Sequence, residues 1–356
     1  MHHADPVTLQ GVHGSPYTRK ALAVLRYRRI PYRFVIGQPG NPISWGHVDH
    51  EKLPVPKVPL LPTFYFDDDE GTLQAVTDTT PIIRRLERIY TGRSVLPPDP
   101  LMNLLNYILE DYADEWLTRC MFHYRWSYSD DIDKASTTLP YYPMMNLDDE
   151  TGLQMKAVFA ERQISRLHVV GSNDVTGPVI EESYERFLSI LNSHLKSGHQ
   201  FMLGNRPSSS DFAAVGQLTS LAHFDPTPAR VTLDIAPRVY AWVERNEDLC
   251  GVDVTDDDWL QPDELPDTLL QMLSEVARTH MPQLLANARA LLAGERLFET
   301  EIDGKTWKQP SFSYQGKCLQ WIREEHGSLS PQQQKRSLDI LESVGLSDLI
   351  TASVSP

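Results

Sequence analysis

Residues 7–36 of the chain read VTLQGVHGSPYTRKALAVLRYRRIPYRFVI, and this stretch decides the fold of the amino-terminal region. A short strand is predicted at 7–10, a helix with apolar residues at helical spacing at 17–29, and a second strand at 32–36. Pro31 ends the helix. A strand, a helix and a strand in thirty residues form a βαβ unit, and its right-handed crossover makes the two strands parallel.

The pattern then changes to one that predicts a loop, a hairpin and a helix. The irregular loop is expected over residues 37–57, where glycine and proline are frequent. Two strands, 63–66 and 72–76, follow, and Gly71 suits the positive φ of the turn between them. Residues 78–81 (DTTP) then predict a helix start, because capping residues precede a proline in the first turn.

Four segments are predicted along the 356 residues. They are an α/β domain at 1–92, a proline-containing linker at 93–100, an all-helical domain at 101–250, and a carboxyl-terminal extension at 251–356. The predicted helices of the helical domain are 101–126, 153–170, 178–196, 208–223 and 236–246, with a loop at 127–150. The extension is predicted to contain two helices up to about 294, a hairpin at 298–307 around an Asp-Gly turn, and helices at 314–326 and 331–344.

Composition and charge narrow the classes of function. The net charge of −15 disfavours a nucleic-acid binder or a protein that docks on anionic lipid, because both need a basic face. The three cysteines are widely spaced, which favours a reducing, cytoplasmic location without disulfides. No apolar run is long enough to predict a membrane span, and the amino terminus does not resemble a signal peptide. His2 and His3 are interpreted as a frayed end, and no metal is expected.

The first candidate for chemistry is Ser15, between the end of a strand and the start of a helix. Ligand sites of α/β proteins favour that position, and the free N–H groups of a helix start stabilise an anion. A serine hydroxyl there can donate a hydrogen bond to a thiolate or an oxyanion, although serine is also a common helix cap. A nucleophilic role is disfavoured, because the sequence lacks a Gly-x-Ser-x-Gly elbow and nothing orients His13 as a base.

Two further candidates lie near strand ends. Leu61-Pro62 precedes a predicted strand, and a cis bond before Pro62 would turn the neighbouring backbone groups outward; Pro59 is an alternative for the same role. Asp78-Thr79 begins the next helix and offers a carboxylate for an ammonium group and a hydroxyl for a carboxylate. Simple capping of the helix explains this pair equally well.

Together these motifs resemble the thioredoxin-like amino-terminal domain of the glutathione S-transferases, of the serine type found in bacteria, here with a carboxyl-terminal extension. A second resemblance lies in the segment GNRPSSSDF at 204–212, which is similar to the family's capping box with Ser208 and Asp211, and in the helix around 237–245. The likeness covers about residues 7–247, with Asp78 and Thr79 where glutamate and serine are commoner.

The resemblance implies that glutathione is the co-substrate and that the protein is an enzyme. It implies a helical bundle after the thioredoxin-like domain, a homodimer, and attack of the glutathione thiolate on a small hydrophobic electrophile. Non-catalytic binding or assembly, and glutathione-dependent peroxidase or lyase activity, remain alternatives. The implied residues are Ser15 as the thiol-activating residue, Tyr17, Leu61, Pro62, Asp78 and Thr79 for glutathione, and Trp116, Tyr124 and Trp126 for the electrophile. For Trp116, a position in the helix-bundle core is favoured over the pocket. Arg19 and Lys20 either neutralise the charge of glutathione or are solvated, and solvation is expected.

Overall fold

A computed structural model describes residues 6–40 and 53–354 of the chain. Its first part contains a four-stranded mixed sheet in the order β2-β1-β3-β4. Strand β1 is parallel to β2 and antiparallel to β3, and β3 is antiparallel to β4. The strands are β1 (Val7–Gly11), β2 (Tyr32–Ile36), β3 (Thr63–Asp67) and β4 (Leu73–Thr77). The predicted α/β class and the predicted order of strands and helices along the chain are confirmed, whereas part of the predicted loop at 37–57 lies outside the described residues.

Two helices, α1 (Pro16–Tyr27) and α2 (Thr79–Ile89), pack on this sheet. Their apolar faces bury Leu22, Leu25 and Leu86 together with Leu9 and Phe64 of the strands. The spacing of apolar residues in each helix therefore produces the core that the sequence predicts. Apolar burial of this kind contributes most of the stabilisation of a small α/β layer.

The register of the sheet brings three loops to one edge. Gln10 lies opposite Thr63, and Thr63 lies opposite Thr77. The end of β1, the start of β3 and the end of β4 are therefore neighbours, since adjacent strands lie about 4.8 Å apart. This edge is where the chain leaves β1 for Ser15, enters β3 from Pro62 and leaves β4 for Asp78.

The helical domain begins with α3 (Pro100–Ser127), which Asp99 caps through a hydrogen bond from the Met102 N–H. The remaining helices of this domain are α4 (Ser129–Thr138), α5 (Asp149–Ile164), α6 (Gly177–Lys196), α7 (Ser209–Leu218), α8 (Pro226–Ile235) and α9 (Pro237–Asn246). The helix predicted at 153–170 is divided into α5 and a 3₁₀ turn at Leu167–Val170. The one predicted at 208–223 is divided into α7 and π-helical turns at Thr219–Phe224.

The prediction of a loop at 127–150 was wrong for its first half. Helix α4 forms there although its sequence, SDDIDKASTT, has few apolar residues. Its Asp131 is fully buried and accepts hydrogen bonds from the Thr227 backbone N–H, at 3.0 Å, and from the Thr227 hydroxyl. Hydrogen bonds to α8 therefore contribute to holding α4 in place, together with its packing against α3 and α5.

The carboxyl-terminal extension packs against α3 and shares its core. Trp307 lies with its ring 5.4 Å from that of Trp116, and Arg119 donates to Gln309 at 2.7 Å. The predicted hairpin is confirmed, with positive φ at Asp303 and Gly304 in its turn. The elements of the extension are α10 (Asp267–Glu275), α11 (Met281–Leu292), β5 (Leu297–Ile302), β6 (Lys305–Pro310), α12 (Ser313–Ser328), α13 (Pro331–Ser343) and α14 (Asp348–Thr351). Within residues 6–40 and 53–354, no helix combines the length and the apolar character needed to cross a membrane.

Candidate functional site

Ser15 is the residue that caps α1. Its backbone is extended, with φ −93° and ψ 121°, and its Oγ accepts a hydrogen bond from the Thr18 N–H at 3.3 Å. The side chain is half-buried, and its hydroxyl proton has no acceptor among the residues that the structure describes. Ser15 therefore keeps a free donor beside the positive end of the α1 dipole, a combination that stabilises a bound anion.

His13 is not positioned as a base for Ser15. Its ring makes an edge-to-face contact with Phe34, with 5.2 Å between the ring centroids, and the described residues contain no hydrogen bond from it to Ser15. Burial, followed by the charge of Arg19, lowers the pKa of His13. The Arg19 guanidinium donates to the His13 carbonyl and pairs with Glu247 at 2.6 Å. This geometry disfavours a nucleophilic serine.

The peptide bond between Leu61 and Pro62 is cis, as the resemblance implies for this position. The next residue, Thr63, is fully buried, and its hydroxyl donates to the Leu60 carbonyl at 2.8 Å. Leu61 itself is only half-buried. Its backbone therefore lies at the sheet edge between the end of β1 and the end of β4.

Asp78 caps α2 in an uncommon backbone conformation, with φ 84° and ψ 110°. A positive φ is costly for a residue other than glycine and is found more often at functional sites than elsewhere. The carboxylate accepts from the Thr80 N–H through Oδ1 at 3.2 Å and from the Tyr314 hydroxyl through Oδ2 at 2.9 Å. Burial raises the pKa of Asp78, while the hydrogen bond from Tyr314 acts against that rise.

The Thr79 hydroxyl is not placed to bind a ligand carboxylate, which is the role that the resemblance implies for it. The neighbouring hydroxyl of Thr80 contacts charged groups instead. Thr79 is 4% exposed and faces a small apolar void beside Ala21, Val24 and Phe64. It is the hydroxyl of Thr80 that reaches charged groups, since it lies 3.2 Å from carboxylates of α3. The Thr79 N–H, the first of α2, has no acceptor among the described residues. Only its backbone is therefore available to a ligand anion.

A buried ion cluster lies behind this edge, where α1 meets α3, and Lys20 is at its centre. The prediction that Lys20 is solvated was wrong, because its side chain is 1% exposed and its Nζ lies 2.7 Å from Glu110 and 2.5 Å from Asp114. Arg84 of α2 also pairs with Glu110, at 3.1 Å. Two cations and two carboxylates therefore neutralise each other and join α1, α2 and α3.

The two carboxylates of this cluster differ in their proton affinity. Glu110 has the charges of both Lys20 and Arg84 beside it, and these overcome burial and lower its pKa to about 2. Asp114 shares Lys20 with Glu110, so burial and the negative charge of Glu110 raise its pKa to about 7. Of the two carboxyl groups, Asp114 therefore binds a proton more readily than Glu110 does.

Tyr17 contributes its hydroxyl to the same interdomain contact. The phenol oxygen donates to the Asp114 carbonyl at 2.7 Å and lies 2.9 Å from the Thr118 hydroxyl. Burial and the nearby carboxylates raise the pKa of Tyr17 well above its usual value. The phenol is thus bound to α3 and is not directed at the edge of the sheet that carries Ser15.

The three aromatic residues expected to line an electrophile pocket are packed inside the protein. Trp116, Tyr124 and Trp126 are 0%, 2% and 2% exposed. The Trp116 indole donates to the Ser183 hydroxyl at 2.9 Å, and its ring contacts Trp307. The sequence favours a core position for Trp116, and the case for a pocket at the other two residues rests only on their place near the end of the same helix. The structure places them in the core.

Leu139 and Tyr142 lie beside the serine instead. A Cβ atom added to Gly14 would come within 2.7 Å of Leu139 Cδ2 and 3.1 Å of Tyr142 Cδ2. Both side chains are half-buried, so they present apolar surface next to Ser15. Sequence reasoning missed them because they belong to the segment predicted as a loop. It missed Tyr314 because that residue lies in no motif, and it missed the role of Thr80, within the helix start at 78–81, because the partners of Thr80 lie on α3. In residues 6–40 and 53–354, no cluster of three or more histidine, cysteine, aspartate or glutamate side chains has a geometry that could hold a metal ion.

Comparison with known proteins gives two matches to family models. The glutathione S-transferase amino-terminal domain matches residues 9–94, and the glutathione S-transferase carboxyl-terminal domain matches residues 180–249. No curated protein is a significant match to the chain.

Several solved structures are also similar to the chain. A GST-like protein from Pseudomonas syringae is 18% identical, with a TM-score of 0.40, and the match covers 68% of this chain and 67% of that one. A glutathione transferase family member from Pseudomonas fluorescens, with two glutathione molecules bound, is 14% identical, with a TM-score of 0.41 and coverage of 68% and 93%. A maleylacetoacetate isomerase from Anaeromyxobacter dehalogenans, with glutathione in its active site, is 16% identical, with a TM-score of 0.34 and coverage of 67% and 96%.

Proposed function

Since the chain belongs to the glutathione S-transferase family, we propose that it binds glutathione and transfers the glutathione thiol to a small hydrophobic electrophile. The observation that carries the proposal is the free hydroxyl donor of Ser15 at the amino terminus of α1. Two other family motifs, Leu61-Pro62 and Asp78-Thr79, lie at the same edge of the sheet. The three are far apart in sequence, so their meeting at one edge supports a common ligand.

Ser15 acts by stabilising the thiolate. A free cysteine thiol has a pKa of about 8.5, so only a small fraction is ionised at neutral pH. A hydrogen bond from Ser15, added to the α1 dipole, lowers that pKa by about one to two units, at about 1.4 kcal/mol per unit. The thiolate then forms a carbon–sulfur bond with the electrophile while the leaving group departs with its electron pair. The thiol proton passes to solvent.

The remainder of glutathione is assigned to the neighbouring loops. The Asp78 carboxylate receives the ammonium group of the γ-glutamyl end, and the Thr79 N–H receives its carboxylate. The backbone of Leu61 binds the cysteinyl amide. This assignment uses the Thr79 backbone rather than its hydroxyl, because the side chain is buried.

The electrophile is assigned to the apolar surface of Leu139 and Tyr142. These side chains lie against Gly14, directly before Ser15 in the chain. A planar or small apolar substrate seated there would be next to the sulfur that Ser15 holds. An apolar wall of this kind favours hydrophobic substrates without selecting one in particular.

The test measures glutathione binding by calorimetry and turnover with 1-chloro-2,4-dinitrobenzene, for the wild type and for Ser15→Ala. We expect wild-type binding and turnover, and a loss of about 10- to 100-fold in kcat/KM for the variant, the equivalent of one to two pKa units. Ser330→Ala is the matched control, because Ser330 caps α13 as Ser15 caps α1 and lies in the extension. A wild-type protein that does not bind glutathione would contradict the proposal, as would equal turnover by Ser15→Ala.

A second candidate is a protein that binds glutathione without turnover. It is favoured by the extension, which places Tyr314 on Asp78 and so reaches the binding edge itself. Glutathione binding without conjugation of the chlorodinitrobenzene, and without reduction of an organic hydroperoxide, would support this candidate. Reduction of the hydroperoxide alone would indicate a glutathione-dependent peroxidase, which uses the same thiolate.

A further inference from the structure

The extension contributes one side chain to the edge of the sheet that carries the proposed glutathione site. Tyr314, the second residue of α12, donates its phenol hydrogen bond to Asp78 Oδ2 at 2.9 Å, across 236 positions of sequence. Its ring packs edge-to-face on Trp321, with 6.1 Å between the ring centroids. The hydroxyl is therefore directed at the carboxylate by a ring that is itself packed.

Helix α12 is held firmly enough to aim this side chain. The next residue, Gln315, is buried and donates to Glu115 of α3 at 2.8 Å, and Leu319 is buried in the main core. Burial raises the pKa of Glu115 to about 7. Gln315 thus contributes to the docking of α12 on α3, and the adjacent Tyr314 makes the contact of α12 with Asp78.

We propose that Tyr314 is a positioning residue that fixes the Asp78 carboxylate for the ammonium group of the γ-glutamyl end of glutathione. This inference rests on the function proposed above and extends it, because it makes segment 251–356 part of the ligand site. Tyr314 is expected to act through Asp78 and not to touch the reacting sulfur.

The hydrogen bonds on Asp78 leave room for the ligand. Each carboxylate oxygen can accept about two hydrogen bonds. Oδ1 has accepted one from the Thr80 N–H, and Oδ2 one from Tyr314. One acceptor position therefore remains on each oxygen, and an ammonium group adds to the existing bonds without displacing them.

The charges around Asp78 make the phenol donor important. Lys20 from α1 favours the ionised carboxylate, whereas Glu110 from α3 and the burial of Asp78 disfavour it. From α3 and α12, Asp114 and Cys318 also face this region. A hydrogen bond that is made to the carboxylate form favours that form. Tyr314 thus favours the anionic form of the side chain and fixes its direction.

The experiment compares two ligands, glutathione and glutaryl-cysteinyl-glycine, which lacks only the α-amino group. Dissociation constants are measured by calorimetry at pH 7 for the wild type and for Tyr314→Phe. We expect about tenfold weaker binding of glutathione by the variant, typical of losing a hydrogen bond to a charged group, and a change below about twofold for the analogue. In an Asp78→Asn background, the same Tyr314 substitution is expected to have no further effect on glutathione binding.

Gln315→Ala is the matched control, since it weakens the docking of α12 without removing a bond to Asp78. It is expected to weaken both ligands equally or neither. Equal losses of both ligands in Tyr314→Phe would overturn the inference, as would unchanged or tighter glutathione binding. If the wild type binds glutathione in these cases, only the inference fails; if the wild type binds no glutathione, the proposed function fails with it.

Discussion

Replacing Lys20 by methionine tests how α1, and with it Ser15, is held against the helical domain. The substitution keeps the length of the side chain and removes its charge. Glu110 and Asp114 then lose a cation at 2.7 and 2.5 Å in a site where all three side chains are less than 10% exposed. Removing one partner of a buried ion pair costs about 3–5 kcal/mol, because the other charge remains buried and unpaired.

Arg19→Met is the matched control for this substitution. Arg19 is the neighbouring cation, but it pairs at the surface with Glu247, and the two side chains are 28% and 47% exposed. Surface pairs of this kind contribute about 0–1 kcal/mol. Urea unfolding at pH 8, followed by circular dichroism, should therefore show a far larger loss of the free energy of unfolding for Lys20→Met. A loss within about 1 kcal/mol of the control would refute the reasoning.

The loss of the free energy of unfolding in Lys20→Met is also expected to depend on pH, in a direction that the pKa shifts determine. Burial has already raised the pKa of Asp114 to about 7, and removal of Lys20 raises it further because a neighbouring cation is lost. The same loss raises the pKa of Glu110 from its lowered value. Groups whose folded-state pKa exceeds their unfolded value bind protons preferentially in the folded protein, so stability increases as the pH falls. The deficit of Lys20→Met should be larger at pH 8 than at pH 5. A deficit that grows towards pH 5 would contradict the account of the cluster.

Two further predictions concern buried side chains outside the candidate site. Asp211→Ala should lower the free energy of unfolding by about 2–5 kcal/mol in a urea titration, because the Met202 and Ser208 N–H groups lose their buried acceptor. A loss below about 1 kcal/mol would be inconsistent with that role. Thiol labelling of the native protein should modify Cys250 rapidly and the other two cysteines only after unfolding, because only Cys250 is exposed. Rapid labelling of all three cysteines in the native protein would contradict the burial of Cys120 and Cys318.

The local parts of the fold were predictable because short segments specify them. The Asp-Gly turn predicts the hairpin of the extension, and Ser208 with Asp211 predicts the start of α7, where both bonds of the capping box are formed. The predicted helix 101–126 agrees with α3 to within one residue at each end. These features depend on residues that are neighbours in sequence, so the pattern alone carries them.

The errors concern residues whose partners are distant. Lys20 was expected in solvent because the carboxylates that neutralise it come about ninety positions later, on α3. A core position was favoured for Trp116, but the side chain that covers it, Trp307, could not be foreseen because it belongs to the extension. Helix α4 was missed because its sequence has few apolar residues, and the acceptor role of Asp131 depends on Thr227, 96 positions away.

The candidate site likewise has features that local motifs predict and features that depend on tertiary packing. Ser15 as a helix cap and the cis bond before Pro62 agree with what the motifs imply. The direction of the Tyr17 phenol, the burial of Thr79 and the contact of Tyr314 with Asp78 depend on tertiary packing. A sequence motif thus indicates which backbone segments meet, whereas the packing of other elements decides which of their atoms remain free for a ligand.

The titration of bound glutathione tests the central claim most directly. The absorbance of the thiolate in the near ultraviolet is followed against pH for the complexes of the wild type and of Ser15→Ala. The account predicts a thiol pKa about one to two units below the free value of about 8.5 in the wild type, and a higher value, closer to 8.5, in the variant, which keeps only the α1 dipole. Superimposable titration curves for the two complexes would show that the Ser15 hydroxyl does not stabilise the thiolate.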